Sequence, residues 1–317
     1  MIVTVTLNPA VDCSMYVTEY TGNAVNRAER QQITAGGKGI NISLILERLG
    51  IDTLAYTFCG GETGQLLCHL LDKTGLNYSV VWLENQLTRI NFKLHHDKSE
   101  TEINGTGTEI PSEILDSFIS ELDKKLKNND VLILAGSLPP SSPPDTYAYI
   151  MKKLSHKNLR IVADTSGKAL LEILPYKPFL IKPNNHELAD ILRKPVNTPE
   201  EASAGARDLQ KLGAGNIIVS LAEMGSVLLT ADGTEYRIKA PSGTVKNSVG
   251  AGDSMLAGFL AGLEKTGDFA LAHVLGTACG SATAFSDGLA EKQEIIRILN
   301  EMLPDSQIVQ KFFDIEF

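Results

Sequence analysis

Asn247-Ser248-Val249-Gly250-Ala251-Gly252-Asp253-Ser254-Met255 leads straight into an apolar helical pattern of Met255, Leu256, Phe259, Leu260 and Leu263. Two glycines thus stand at a helix start, with an acid at the junction. A helix start presents unpaired backbone N–H groups and the positive end of the helix dipole, so it attracts anions. Glycine lets a phosphate or a developing oxyanion approach that backbone closely. A carboxylate beside an anion site is accounted for if Asp253 takes a proton from a hydroxyl. The amides of Gly250, Ala251 and Gly252 would then hold the charge of a transferring phosphoryl group. Acids also favour first turns for the helix dipole alone, and this segment by itself leaves both readings open.

Outward from this point, short β-branched runs alternate with helical patterns. Strand candidates lie at 2–7, 53–59, 131–135, 160–163, 179–182 and 217–220. Helix candidates lie at 41–49, 63–73, 112–126, 145–154, 187–193 and 199–212, with three more at 252–265, 269–285 and 291–302. The alternation predicts an α/β fold: a doubly wound, mostly parallel sheet flanked by helices. Segments 15–34 and 88–101 break the pattern, and Ile90-Asn91-Phe92-Lys93-Leu94-His95 is a period-2 run of a half-exposed strand. They read as excursions from the main sheet that form a small β-sheet lid. No repeat, low-complexity tract or Pro-rich linker interrupts the chain. Residues 1–317 are therefore read as one domain, with lid excursions at about 13–34 and 88–106.

The bulk composition narrows the function classes. A chain of 317 residues with 43% hydrophobic and 21% charged residues is ordinary for a globular α/β protein. Its net charge of −9 does not favour nucleic acid or an anionic membrane as a partner, so an anionic substrate needs a local cationic pocket. Cys13, Cys59, Cys68 and Cys279 form no C-x-x-C pair and have no His at zinc-ligand spacing. That usage fits a reduced, cytoplasmic compartment. The opening Met1-Ile2-Val3-Thr4-Val5-Thr6-Leu7 is strand-like rather than a signal peptide. No apolar run approaches the roughly 20 residues of a membrane span.

Five further segments sit where an α/β fold places ligands, at strand ends and helix starts. Gly36-Gly37-Lys38-Gly39-Ile40-Asn41 precedes a helix with Ile42, Ile45, Leu46 and Leu49 on one face. It is not a P-loop, because Gly39 follows the lysine. Its three glycines and Lys38 favour a ligand site over a plain turn. Asn8-Pro9-Ala10-Val11-Asp12 follows the first strand, and Asp12 suits either a polyol acceptor or an Asx-turn. Ala135-Gly136-Ser137 follows another strand but lacks the Gly-x-Ser-x-Gly elbow of hydrolases. Asn184 and Glu187, after Lys182-Pro183, match a capping box. They also suit a hydrated Mg²⁺, which keeps its waters. Ser220-Leu221-Ala222-Glu223-Met224-Gly225 is either a β-turn or a nucleotide-contacting loop.

These segments resemble, over essentially the whole chain, the ribokinase-like sugar kinases and specifically their phosphofructokinase-B branch. Gly36 to Asn41 resembles the family's first signature, and Val249-Gly250-Ala251-Gly252-Asp253-Ser254 its highly specific second signature. The resemblance implies ATP-dependent phosphoryl transfer to a sugar hydroxyl, with Asp253 as general base and the 250–252 amides as anion hole. It implies a sugar site of Asp12, Gly37, Lys38, Asn41, Arg89 and Ser137. It implies a nucleotide site of Lys182, Asn184, Ser220, Ala222, Gly225, Gly250 and Gly252, and Mg²⁺ held through water by Asn184 and Glu187. The family's nucleotide loop commonly has glycine where Ala222 stands. In this branch the lid often pairs two subunits, so a homodimer is expected. Phosphosugar kinases of this branch need cations for a phosphate already on the substrate, and Lys38 and Arg89 are the candidates, with Arg27 a weaker one. Thr88-Arg89-Ile90-Asn91 and Thr101-Glu102-Ile103-Asn104 resemble kinases of fructose 1-phosphate more than those of tagatose 6-phosphate. Pro175-Tyr176-Lys177-Pro178 leans slightly the other way. A non-catalytic sugar-phosphate-binding regulator is the remaining alternative, and the presence of Gly250, Gly252 and Asp253 argues against it.

Overall fold

A computed structural model of the chain describes residues 1–96, 99–303 and 306–313. The first half runs β1 (Ile2–Thr6), β2 (Ala10–Tyr16), β3 (Arg30–Gly36), α1 (Lys38–Arg48), β4 (Thr53–Cys59), α2 (Gly61–Asp72), β5 (Tyr78–Trp82), β6 (Arg89–His96), β7 (Ser99–Asn104), α3 (Ser112–Lys125), β8 (Val131–Ala135) and α4 (Thr146–Lys153). The second half runs β9 (Arg160–Asp164), α5 (Gly167–Ile173), β10 (Leu180–Ile181), α6 (Asn185–Leu192), α7 (Pro199–Lys211), β11 (Asn216–Ser220), β12 (Ser226–Leu229), β13 (Glu235–Ile238), α8 (Ala251–Thr266), α9 (Phe269–Ala284), α10 (Lys292–Met302) and α11 (Ser306–Phe313).

The main sheet has the order β13-β12-β11-β10-β9-β8-β1-β4-β5. From β11 to β5 every neighbouring pair is parallel, while β12 and β13 close one edge antiparallel. Alternate side chains supply two cores, as the period of a strand requires. Val3, Val5, Leu132, Leu134 and Val219 point to the layer holding Phe118, Tyr147, Leu188 and Leu209 of α3, α4, α6 and α7. Ile2, Val131, Ile133, Val162 and Ile218 point to the layer holding Ile45, Leu256, Phe259, Leu275 and Ile298 of α1, α8, α9 and α10. This is the doubly wound, mostly parallel arrangement expected from the alternation of patterns. The edge elements β5, β12 and β13, the short α5 and the terminal α11 were not foreseen, being short or only half-buried.

A separate four-stranded sheet has the order β3-β2-β6-β7. It begins earlier than the sequence suggested, because β2 starts at Ala10. Asp12 therefore sits in a strand rather than in an Asx-turn. Register places Asp12 opposite Thr34 and Asn91, Ser14 opposite Lys93, and Lys93 opposite Glu102. The intervening positions are Cys13, Met15, Ile33, Phe92, Leu94 and Ile103. One face is polar and the other apolar, and the burial is inverted relative to an ordinary sheet. Asn91 and Lys93 are buried, whereas Ile33, Ile90 and Ile103 are 39, 48 and 65% exposed.

Among the described residues no helix is long and apolar enough to cross a membrane. A titratable imidazole lies deep on the α9 side of the main sheet. His273 of α9 is fully buried, with Nε2 2.7 Å from Ser226 Oγ of β12 and, among the described residues, no partner for Nδ1. Burial pulls its pKa down from 6.5 to about 4, so the folded chain keeps it neutral. Protonation therefore favours the unfolded chain: this contribution is complete above pH 6.5 and is lost as pH falls toward 4. Chemical denaturation of the wild type should show a loss over that interval about 3 kcal/mol larger than in His273→Gln. Parallel stability–pH curves for the two proteins would rule the effect out.

Candidate active site

The site forms where the carboxyl ends of the central strands meet three helix starts, the usual ligand position in a parallel α/β sheet. Asn8 follows β1, Ser137 follows β8, Asp164 ends β9 and Lys182 follows β10. Facing them are the N-termini of α1, α6 and α8, which carry Lys38 and Asn41, Asn184 and Glu187, and Gly250 to Asp253.

Gly250 is the residue before α8 and holds φ 78°, a left-handed conformation that glycine adopts without cost. A Cβ there would come within 2.6 Å of Leu289. At Gly252 an added Cβ would lie 3.0 Å from the Lys182 ammonium, so that lysine stands directly over the open first turn. Of the three amides read as an anion hole, that of Ala251 is engaged: it donates to the Ser248 carbonyl at 3.2 Å. Gly37 caps the start of α1, which sets Lys38 and Asn41 one turn apart. Asn41 Nδ2 donates to Asp253 Oδ2 at 2.8 Å.

Lys38 Nζ donates to Asp164 Oδ1 at 3.1 Å and lies 3.9 Å from Glu187 Oε1. Lys182 Nζ is 3.6 Å from Asp164 Oδ2. Asp164 is fully buried between the two lysines, and sequence reasoning missed it because the strand candidate stopped one residue short. The only available signal was an acid at the carboxyl end of a strand. Burial opposes charge on Asp164, but Lys182 and Lys38 outweigh it and hold its pKa below the usual carboxylate value. Burial likewise opposes the charge of Lys38, yet Asp164, Asp253 and Glu187 hold that ammonium above the usual lysine value. Among the described residues no cation is in direct contact with Asp253. Burial, reinforced by the charge of Asp164, pushes it up to about 6, against the opposing pull of Lys38 and the Asn41 hydrogen bond.

Asn184 and Glu187 form a reciprocal capping box. Asn184 Oδ1 accepts from the Glu187 N–H at 2.8 Å, and Glu187 Oε2 accepts from the Asn184 N–H at 2.9 Å. Only Glu187 Oε1 is left facing Lys38. Among the described residues no three His, Cys, Asp or Glu side chains gather as a metal cage. Beside α6, Ser220 bridges to Asn184, and residues 222–224 form a single 3-10 turn rather than a simple β-turn. Ala222 takes φ 49°, the conformation a glycine would fill more readily. Gly225 at φ 92° packs so tightly that a Cβ would reach 1.9 Å from the Ile238 carbonyl.

The lid brings Asp12 and Arg89 to the same side as Asn8 and Ser137. Asp12 accepts from Asn91 Nδ2 at 2.9 Å and from Lys93 Nζ at 3.1 Å. Asn8 Nδ2 donates to Ser137 Oγ at 3.4 Å. The two cations grouped in the sequence reading have different surroundings. Lys38 belongs to the acid cluster below Asp253. Arg89 donates from each of its three nitrogens to backbone carbonyls, at Asn8 (3.2 and 3.0 Å), Pro9 (3.4 Å) and Gly105 (3.3 Å). Its two terminal nitrogens each keep one further N–H. Arg27 is exposed in the connection between β2 and β3.

Comparisons with known proteins identify the family of the chain. The family model described as pfkB family carbohydrate kinase matches residues 5–296. The chain is 41% identical over 302 residues to a protein named 1-phosphofructokinase from Bacillus subtilis, covering 95% of this chain and 98% of that one. A protein of the same name from Borreliella burgdorferi is 34% identical over 299 residues, covering 94% and 96%. Phosphofructokinase-2 from Escherichia coli superposes with a TM-score of 0.88 over 95% of this chain and 98% of that one. At 23% identity that likeness speaks for the fold. The chain belongs to the pfkB family of carbohydrate kinases.

Proposed function

We propose that the chain transfers the γ-phosphoryl group of ATP to a ketohexose monophosphate, converting fructose 1-phosphate to fructose 1,6-bisphosphate. The observation that carries this reading is Asp253. It is a buried carboxylate with a raised pKa, aligned by Asn41 at the open start of α8, beside the Lys38–Asp164–Lys182 cluster. Asp253 accepts the proton of the C6 hydroxyl as that oxygen attacks the γ-phosphorus. The bond from phosphorus to the β,γ-bridging oxygen breaks, and ADP leaves with the electron pair. The amides of Gly250 and Gly252, together with Lys182, meet the charge that develops on the transferring group. Lys38 faces the same charge from the α1 side. Glu187 Oε1 and Asn184 suit Mg²⁺ through water, and the ion would supply further neutralisation of the phosphate oxygens. Ser220, Ala222 and Gly225 form the wall along the nucleotide.

Asp12, Gly37, Asn41 and Ser137 line the sugar end. The phosphate already on the substrate lies opposite the reacting hydroxyl, and the remaining N–H groups of Arg89 receive it. The segment 175–178, which leans toward tagatose 6-phosphate kinases, leads into the amino end of β10, away from the site. The substrate reading rests instead on the strands that carry Arg89 and Asn104, and on the relatives' shared name. The exposed Ile33, Ile90 and Ile103 support a homodimer joined through the apolar lid face. A cytoplasmic location fits such an enzyme.

Asp253→Asn keeps the shape of the side chain but cannot take the proton. It should lower kcat about 10²–10⁴-fold while ATP binding by calorimetry stays nearly constant. Near-normal turnover in this variant would refute the general-base role. The pH profile offers a separate reading: kcat/KM should fall below about pH 6 as Asp253 gains a proton in the free enzyme. Asn41 donates to the charged form, so Asn41→Ala should move that acid limb upward. An unmoved limb would show that another group controls it. For substrate choice, kcat/KM for fructose 1-phosphate should exceed that for tagatose 6-phosphate by about tenfold or more. The two sugars differ at the C4 hydroxyl, and an unpaired buried polar partner costs at least ~1.4 kcal/mol. The opposite order in a side-by-side coupled assay would replace the substrate while keeping the phosphosugar kinase.

A further inference from the structure

Lys93 stands in the middle of β6 with its side chain only 8% exposed. Its Nζ lies 3.1 Å from Asp12 Oδ2 on β2 and 3.7 Å from Glu102 Oε1 on β7. A buried ammonium loses its hydration and persists only where it is paired. Here the pairing links three strands of the lid across its polar face. Glu102 is 41% exposed and water can screen it, whereas Asp12 is only 14% exposed. The close partner that defines the geometry is therefore Asp12.

The Asp12 carboxylate is held on both oxygens, Oδ1 by Asn91 Nδ2 at 2.9 Å and Oδ2 by Lys93. Across β3, Gly36 leaves it room: a Cβ there would come within 2.6 Å of Oδ1. Each oxygen has one protein donor and keeps a second lone pair. The result is two acceptors with set directions, the arrangement that suits adjacent hydroxyls of a polyol.

We propose that Lys93 is a positioning residue for Asp12: its ammonium holds the carboxylate in the orientation that accepts the sugar hydroxyls, and so sets affinity for the phosphosugar. This rests on the reading of Asp12 as a sugar-binding group. Hydroxyl contacts of this kind are present in both the ground state and the transition state, so they act mainly on KM.

The test is a double-mutant cycle on the full chain with Asp12→Asn, Lys93→Met and both together. KM for fructose 1-phosphate, KM for ATP, kcat and the melting temperature are measured for each. Lys93→Met should raise KM for fructose 1-phosphate about tenfold or more, with kcat and KM for ATP changed less than about threefold. Lys93→Arg should restore most of the affinity. Added to Asp12→Asn, Lys93→Met should do little more, because residues acting through one another are non-additive. A full further increase in that background would overturn the positioning role and mean that Lys93 acts independently of Asp12. Equal losses for both substrates, with a lowered melting temperature, would mean that it only holds the lid together. An unchanged KM in Asp12→Asn alone would remove the sugar-binding reading of Asp12, and the role of Lys93 with it. If Lys93→Met does not fold, Lys93→Gln runs the same cycle.

Discussion

A carboxylate with no access to water cannot remain charged alone, and Asp164 meets that requirement with two lysines from different parts of the chain. Lys38 arrives from the start of α1, and Lys182 from the end of β10. Breaking either contact leaves the buried charge with a single partner, so the ends of β9, β10 and α1 are held in one arrangement. The start of α8 joins them through Lys182, which lies against Gly252. The same negative charge acts on Asp253 and helps raise its proton affinity. One ion cluster thus orders these elements and tunes Asp253.

The lid solves a different problem. A small sheet on its own is marginal, and this one points its polar residues toward the protein and its isoleucines outward. The polar face is stabilised by charge and hydrogen bonds, with Arg89 tying it to the backbone at Asn8 and Gly105. The apolar face is left for another surface. Buried polar and exposed apolar residues therefore occupy opposite faces of the same four strands, and the period of two in β6 encodes both.

Much of this was legible in the chain. Long alternating patterns marked the central strands and the helices that bury one face, because each pattern directly reflects which side chains leave water. The glycines before α8 and the run Gly36 to Asn41 announced close backbone approach at helix starts. What remained hidden depends on contacts distant in sequence. Asp164 is an ordinary strand-end acid until β9 lies between two lysines. Lys93 looks like the solvated half of a period-2 strand until the lid folds over the sheet ends. Asn184 and Glu187 matched two readings, and the folded chain forms the capping box while leaving one carboxylate oxygen beside Lys38. The separate surroundings of Lys38 and Arg89 were equally invisible, since spacing says nothing about which carbonyls a guanidinium will meet.

Gly225 has a mechanical consequence. Its α-carbon is pressed against the Ile238 carbonyl, and Ala222 beside it already occupies a left-handed conformation. Strand β13, to which Ile238 belongs, is hydrogen-bonded to β12 as the last member of the nine-stranded sheet. The 220–225 loop therefore cannot swing outward without dragging the sheet edge along. This side of the cleft is an anvil, anchored in the edge of the nine-stranded sheet, whereas the opposite side is built from a separate four-stranded sheet.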